Sequence, residues 1–95
     1  MQLLTAAIRR QLPPLCGQDG KGMKAIAYVK FFTPDSSWTW YATEFDGTDV
    51  FFGLVNGHEK ELGYFSLSEL ESVRGPYGLK IERDKYFDAK PLQDI

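Results

Sequence analysis

The first apolar positions of the chain recur at helical spacing. In residues 3–12 the leucine, alanine and isoleucine side chains fall mainly on one face of a helix, and Arg9 and Arg10 lie off that face. Pro13 and Pro14 end the pattern, because proline cannot continue the hydrogen bonding of a helix. The glycine-rich residues 13–24 that follow predict a flexible loop.

The centre of the chain has the pattern of β-strands. The predicted strands span residues 25–32, 38–45, 50–55 and 61–65. In the second of them Trp38 and Trp40 alternate with polar positions, which is typical of a strand with two different faces. Asp46-Gly47 and Asn56-Gly57 are signals for tight turns. Because such short connections join only antiparallel strands, the four strands are expected to form a meander.

A short second helix is expected after the fourth strand. Ser66-Leu67-Ser68-Glu69 has the form of a capping box, and Gly75-Pro76 ends the helix that it starts. Residues 79–87 leave room for one further strand, and residues 88–95 are expected to be an irregular tail. The prediction is therefore a single α+β domain over residues 1–95: an antiparallel four- to five-stranded meander sheet with an N-terminal helix and a short helix after the fourth strand.

Composition adds to this picture mainly by exclusion. Aromatic residues make up 15% of the 95 positions, which supplies enough large side chains for one core and argues against disorder. No apolar run approaches the roughly 18 residues that a membrane span needs. The N-terminal residues lack the apolar core of a signal peptide, and the single cysteine, Cys16, excludes an internal disulfide. We therefore expect a cytoplasmic protein without membrane contact.

The charge is small overall but uneven along the chain. The net charge is −2, yet residues 44–71 carry seven acids against one lysine, and the remainder carries ten basic residues against six acids. This asymmetry permits one negative and one positive docking face. The asymmetry is also what a solvated surface would show if the two signs interleave in space.

The acidic residues offer no convincing catalytic or metal site. The carboxylate pairs Glu44 with Asp46 and Glu59 with Glu61 both flank predicted turns, where acids are common as turn formers. A cation site at Asp46 and Asp49 matches no established loop spacing. We therefore expect no catalytic residues, no metal and no cofactor from these positions.

Three further motifs point to the same expectation. His58 lies in a predicted turn with no nucleophile placed beside it by the sequence. Cys16 has no basic neighbour that would activate its thiol. The 17–22 loop lacks the Lys-Ser/Thr ending of a phosphate-binding loop and does not follow a strand.

The aromatic segment around Trp38, Trp40 and Tyr41 is the most distinctive feature of the sequence. These rings can belong to the core, can anchor a protein partner, or can stack on unpaired bases. The neighbouring acids Asp35, Glu44 and Asp46 disfavour nucleic acid, because they repel phosphates. A separate basic set in the C-terminal quarter is the alternative nucleic-acid contact, and its members are Arg74, Lys80, Arg83 and Lys85.

Long stretches of the chain resemble a known bacterial family. These are FFTPDSSWTWYATEFDG at 31–47, ELGYFSLSELESVRGPYGL at 61–79 and ERDKYF at 82–87. They resemble the domain of unknown function 2958 family, and the resemblance spans nearly the whole chain. It implies a small accessory protein carried largely on plasmids, integrative elements and other mobile DNA. The resemblance supplies no catalytic residue that could be assigned to a position of this chain.

The expected function is a non-enzymatic interaction module of a mobile genetic element. In its sharpest form the protein is a counter-defence inhibitor, of anti-CRISPR or antirestriction type, that binds a host protein complex. The expected partner-binding residues are Trp38, Trp40, Tyr41, Glu44, Asp46, Asp49 and Glu61. The alternative is a single-stranded nucleic-acid-binding accessory protein for plasmid transfer or maintenance. A homodimer formed through an exposed sheet edge is left open.

Overall fold

The structure is a computed structural model that describes residues 2–95. Its helices are α1 (Ala6–Gln11) and α2 (Leu67–Ser72), and two short 3-10 helices span Gly22–Lys24 and Leu92–Asp94. Its strands are β1 (Ile26–Ala27), β2 (Val29–Phe32), β3 (Thr39–Phe45), β4 (Val50–Asn56), β5 (Lys60–Ser66), β6 (Glu82–Arg83) and β7 (Lys90–Pro91).

The main sheet has the strand order β5-β4-β3-β2-β6, and every neighbouring pair is antiparallel. Strands β2 to β5 form the predicted meander, and β6 adds a fifth strand beside β2. Strands β1 and β7 pair separately as a two-stranded sheet. The predicted α+β class, the meander, the N-terminal helix and the short helix after the fourth strand of the meander are confirmed.

Three boundaries differ from the sequence-based prediction. Helix α1 begins only after Thr5, whose side-chain oxygen accepts the N–H of Ile8 (3.2 Å) and caps the first turn. The first predicted strand divides at Tyr28 into β1 and β2. The expected irregular tail instead contains β7 and a 3-10 helix, because Leu92 is buried to 2% exposure and anchors the end of the chain.

One face of the main sheet carries the larger of two hydrophobic cores. Phe51 lies at its centre, with its ring stacked on Phe45 (4.5 Å between centroids) and on Phe65 (5.3 Å). Leu70 of α2 and Trp40 of β3 belong to the same cluster. The other face carries a smaller core of five buried residues with Phe87 packed against it; these are Ala25, Ala27, Tyr41, Leu54 and Leu92. Strand β3 lies between the two cores, so all its residues from position 40 to 45 are buried.

A buried carboxylate lies near the end of β3. The register with β4 shifts between Ala42 and Glu44, and Glu44 is only 5% exposed. Its two oxygens accept the backbone N–H groups of Cys16 and Gln18, each at 2.9 Å. A buried carboxylate requires such donors, because an unpaired charge in the interior is costly.

Gln18 continues this polar network through its own side chain. Its Nε2 donates to the carbonyls of Ile26 (2.9 Å) and Thr43 (2.7 Å), and its Oε1 accepts the N–H of Ile26 (2.7 Å). The middle of the predicted flexible loop, residues 13–24, is therefore tied to both β1 and β3. How far the rest of that loop moves stays a prediction.

Asp46 organises the turn between β3 and β4. Its Oδ1 accepts the N–H groups of Thr48 and Asp49 (2.8 Å each) and of Val50 (3.0 Å). These backbone hydrogen bonds favour the charged form and hold the pKa of the Asp46 carboxyl below its ordinary value.

Replacing Glu44 by alanine is expected to lower the free energy of unfolding by about 3 kcal/mol, because two backbone donors lose a charged acceptor. Glu44→Gln keeps one acceptor oxygen and should cost about 1 kcal/mol. Glu71→Ala, at an exposed position of α2, is the matched control and should change stability by less than about 0.5 kcal/mol. Urea denaturation measures all three. Equal losses for Glu44→Ala and Glu71→Ala would contradict the network.

The lowered pKa of Asp46 also predicts a pH-dependent stability. The contribution of its carboxylate is fully present above the unfolded-state pKa of about 3.9, and it is lost as the pH falls toward the lower folded-state value. Asp46→Asn removes this charged contribution. The free energies of unfolding of the two proteins should differ most near pH 7 and converge progressively as the pH falls below about 4. A difference that stays constant in urea titrations across this range would contradict the assignment.

Candidate functional site

Trp38 is the half-buried aromatic residue that immediately precedes β3. Its ring contacts Trp40, with the centroids 5.9 Å apart, and it lies nearly perpendicular to the His58 ring at 5.5 Å. Trp40 is 8% exposed and belongs to the larger core. The two tryptophans therefore share one face of the sheet, and the buried ring supports the one that reaches solvent.

The absence of a side chain at Gly57 leaves the space that the Trp38 ring occupies. A Cβ at Gly57 would collide with the six-membered ring of Trp38. Any other residue in this turn between β4 and β5 would therefore displace the indole. Gly57, His58 and Trp40 together hold Trp38 in one position before any ligand arrives.

A mainly apolar hollow of about 490 Å³ opens on one side of Trp38. We call it the Trp38 groove. Its lining residues come from the turn before β3, from β3 itself and from the chain after α2, and they are Thr33, Ser36, Trp38, Trp40, Val73, Arg74, Gly75 and Pro76.

The walls of the Trp38 groove are held together by hydrogen bonds. Asp35 accepts the N–H of Tyr77 at 2.8 Å through Oδ2, which ties the chain after α2 to the turn before β3. The hydroxyl groups of Thr33 and Ser36 bond to each other. Arg74 donates to the carbonyls of Glu71 and Val73, each at 2.9 Å. Its guanidinium is therefore held at the end of α2.

A second hollow, of about 300 Å³, opens on the other side of Trp38 and is acidic. Trp38, Val55, His58, Glu59 and Glu61 line it. Glu59 and Glu61 are exposed, and within residues 2–95 neither carboxylate has a hydrogen-bond or ion-pair partner. Trp38 thus separates an apolar hollow from a negatively charged one.

The structure does not bring the seven predicted partner-binding residues onto one surface. Trp38 and Trp40 lie together. Glu61 lies on the same face of the sheet, because Trp40 of β3 pairs with Val55 of β4 and Val55 pairs with Glu61 of β5. Tyr41 is 7% exposed and packs in the smaller core on the opposite face. Strict alternation along β3 accounts for this separation.

The other three predicted acids have structural roles. Glu44 lies in the interior on the N–H groups of the 13–24 loop, so it is not available at the surface. Asp46 and Asp49 lie at the opposite end of β3 and β4 from Trp38. Asp49 accepts both the N–H (2.8 Å) and the hydroxyl (2.9 Å) of Ser68 and so ties its turn to α2. Charge reversal at these positions would therefore disturb the fold as well as any surface.

The alternative basic set is partly used by the fold. Arg83 donates to the carbonyls of Gln2 and Leu3, and Arg74 is bound at the end of α2 as described above. Lys80 forms an isolated antiparallel β-bridge with Arg74 through the backbone. The side chains of Lys80 and Lys85 are exposed.

The remaining candidates for chemistry are the Cys16 thiol and a metal site. The negative charge of Asp19, with smaller effects from burial and from Glu44, raises the pKa of the Cys16 thiol, which disfavours the nucleophilic thiolate. Among the described residues, no three His, Cys, Asp or Glu side chains are grouped to hold a metal ion. No helix in residues 2–95 has the length and apolar character that a membrane span requires.

Four residues that shape the Trp38 groove have no functional signal in the sequence: Gly57, Val73, Gly75 and Pro76. Gly75-Pro76 is recognisable only as a helix stop, and Asn56-Gly57 only as a turn. Val73 is an ordinary apolar residue near the end of α2. Their contribution depends on a contact between β3, the β4–β5 turn and the chain after α2, which no local pattern encodes.

Comparison with known proteins identifies a family and nothing more specific. Neither the curated proteins nor the solved structures contain a significant match to the chain. The family model described as "Protein of unknown function (DUF2958)" matches residues 3–93. Because this match covers nearly the whole chain, and in agreement with the resemblance seen in the sequence, the protein belongs to the DUF2958 family.

Proposed function

We propose that this protein is a non-enzymatic binding module whose Trp38 groove receives an apolar segment of a partner protein. The observation that carries the proposal is the placement of Trp38, half-exposed between an apolar and an acidic hollow. Tryptophan is among the residues that dominate binding energy at protein interfaces, where it typically fills or forms a central pocket.

The rigidity of the Trp38 groove supports this role. The indole is held by Trp40, His58 and the close approach of Gly57, and Asp35 fixes the opposite part of the lining. A site that is already ordered loses little side-chain entropy when it binds. More of the contact energy therefore appears as affinity.

The charges beside the groove specify the chemistry of the partner. Glu59 and Glu61 on one flank are exposed and have no partner among the described residues, and Arg74 on the other flank is engaged with backbone carbonyls. A segment with a large apolar side chain next to lysine or arginine would satisfy both hollows. Such complementarity contributes mainly to specificity and association rate.

The narrower form of the proposal is counter-defence. Basic surfaces with apolar anchors are typical of proteins that bind nucleic acid, and a restriction or CRISPR complex of the host presents such surfaces. The family resemblance to proteins of mobile genetic elements supports this choice of partner. In this form the protein covers a basic groove that the host complex needs for its nucleic acid.

The binding module can be tested without a known partner by selection from a displayed random-peptide library. The enriched peptides should carry an aromatic or large aliphatic residue beside lysine or arginine. Trp38→Ala should weaken their binding at least about 30-fold, because it removes the central contact. Fluorescence polarisation with synthetic peptides measures the dissociation constants.

Two variants control that experiment. Tyr86→Ala removes an aromatic ring that is 93% exposed and lies outside both hollows, so it should bind as the wild type does. Glu59→Lys with Glu61→Lys changes only exposed side chains and should weaken basic peptides about 10-fold, with reduced salt dependence. Equal binding by wild type, Trp38→Ala and the double lysine variant would contradict the proposal.

The counter-defence form predicts a cellular effect. Expression of the protein should raise the transformation efficiency of a plasmid that a host restriction or CRISPR system targets. Trp38→Ala should abolish this protection, and Tyr86→Ala should retain it at equal protein levels. Protection that is unchanged by Trp38→Ala would show that the Trp38 groove is not the site responsible.

One titration distinguishes the binding-module proposal from the alternative function, single-stranded nucleic-acid binding. Within the predicted basic set, Lys80 and Lys85 would be the main phosphate contacts, since Arg74 and Arg83 already donate to backbone carbonyls. The binding-module proposal predicts no micromolar affinity for fluorescent oligonucleotides at about 50 mM salt. Binding that weakens steeply with salt and is lost in Lys80→Gln with Lys85→Gln would favour the alternative.

A further inference from the structure

Strand β5 is one edge of the main sheet. Within residues 2–95 it pairs only with β4, and no strand lies on its other side. It is seven residues long, whereas β6 at the opposite edge has two. A long edge strand presents a row of unpaired backbone groups that can pair with another chain.

The register identifies which backbone groups of β5 point outward. Leu67 donates its N–H to the carbonyl of Asp49, and Gly57 donates to Glu59, at the two ends of the β4–β5 ladder. Hydrogen-bonded pairs alternate along an antiparallel ladder, so the odd-numbered residues of β5 bond to β4. The N–H and C=O groups of its even-numbered residues, from Lys60 to Ser66, therefore face away from the sheet.

The side chains at this edge are apolar and exposed. Leu62 is 44% exposed and Tyr64 is 67% exposed, and both lie on the face that carries the smaller core. Tyr64 packs against Phe52 of β4 at 5.0 Å between ring centroids. Phe52, Leu62 and Tyr64 form an apolar patch that reaches the open edge, where natural edge strands commonly carry charges instead.

Gly63 is the central residue of β5, and no contact within residues 2–95 requires a glycine there. A Cβ at Gly63 would meet no atom within 4 Å, and its φ is not in the left-handed region. Gly53, its partner on β4, differs, because a Cβ there would collide with the Tyr41 carbonyl. A glycine inside a strand weakens the strand and often marks a place where another backbone approaches closely.

We propose that β5 pairs with β5 of a second copy of this chain, antiparallel, about a twofold axis at Gly63. This register sets Leu62 opposite Tyr64 of the second copy as a hydrogen-bonded pair, and it sets Lys60 opposite Ser66. All the outward-facing backbone groups of both strands are then paired. The inference is independent of the function proposed for the Trp38 groove.

The same register is complementary in its side chains. Glu61 faces Phe65 of the second copy, so no two like charges lie opposite each other along β5. A register centred on Glu61 would oppose two carboxylates, which is destabilising. Registers centred on Leu62 or Tyr64 leave part of the outward backbone unpaired. The sequence of β5 therefore favours pairing with itself about Gly63.

A cysteine at the axis tests the register directly, in a Cys16→Ser background. In the proposed pairing the two Gly63 Cα atoms lie about 4.5 Å apart, within disulfide range. The Glu61 positions of the two copies lie about 14 Å apart, beyond that range. Under mild oxidation Gly63→Cys should form covalent dimers at least about 10-fold faster than the control Glu61→Cys. Equal rates would overturn the register.

Charge at the edge tests the dimer itself by sedimentation equilibrium. Leu62→Lys with Tyr64→Lys changes only exposed side chains, and in the dimer it would set lysines opposite each other. It should weaken dimerisation at least about 30-fold. Mixing it with Leu62→Glu and Tyr64→Glu should restore a dimer that contains one copy of each variant.

Circular dichroism and thermal unfolding establish that each variant is folded. The proposal is overturned if the wild-type protein sediments as a monomer up to about 1 mM, at concentrations far above those of ordinary weak complexes. It is also overturned if the lysine variant dimerises as the wild type does, since pairing would then lie elsewhere. If β5 instead pairs with a strand of a different protein, the wild-type protein alone would sediment as a monomer.

Discussion

The burial of β3 on both faces is the constraint on which the rest of the structure depends. Trp40 points into the larger core and Tyr41 into the smaller one, and every residue from position 40 to 45 is buried. A strand enclosed in this way needs covering segments on both sides. The 13–24 loop, β1, β7 and the C-terminal 3-10 helix cover one side, and the N-terminal residues and α2 cover the other. Trp38 precedes the strand at the point where this double cover ends, which is why its ring is left half-exposed.

The parts of the fold that could be predicted from sequence are those with local causes. The alternation along β3, the Asp46-Gly47 and Asn56-Gly57 turns and the capping box at Ser66 act within a few residues, and short connections leave an antiparallel meander as the only topology. The capping box forms as expected, because Ser66 accepts the N–H of Glu69 at 3.1 Å. The β1–β7 pair was not predictable, since its strands have two residues each and their pairing joins distant parts of the chain.

The candidate site follows the same division. Alternation predicted that Trp38 and Trp40 share a face, but it could not tell that one ring is core and the other half-exposed. Glu44 looked like a surface acid because a charged residue in a strand is most often exposed. Its burial depends on donors from Cys16 and Gln18, more than 25 residues away in sequence. Such a network has no local signature, and only the folded chain reveals that the carboxylate belongs to the interior.

The two proposed surfaces are connected by geometry. A twofold axis perpendicular to the sheet at Gly63 keeps the same face of both copies on the same side, so both Trp38 grooves would open in one direction. From strand spacing and residue rise, the two Trp38 rings would lie about 35 Å apart. A partner with two suitably spaced sites would engage both at once, and its overall affinity would exceed that of one groove by the effective concentration of the second. Glu61 belongs to both surfaces, since it lines the acidic hollow beside Trp38 and would face Phe65 of the second copy. Dimerisation would therefore bring an apolar ring next to this carboxylate and strengthen its attraction for a basic partner, because charges interact more strongly where water is excluded.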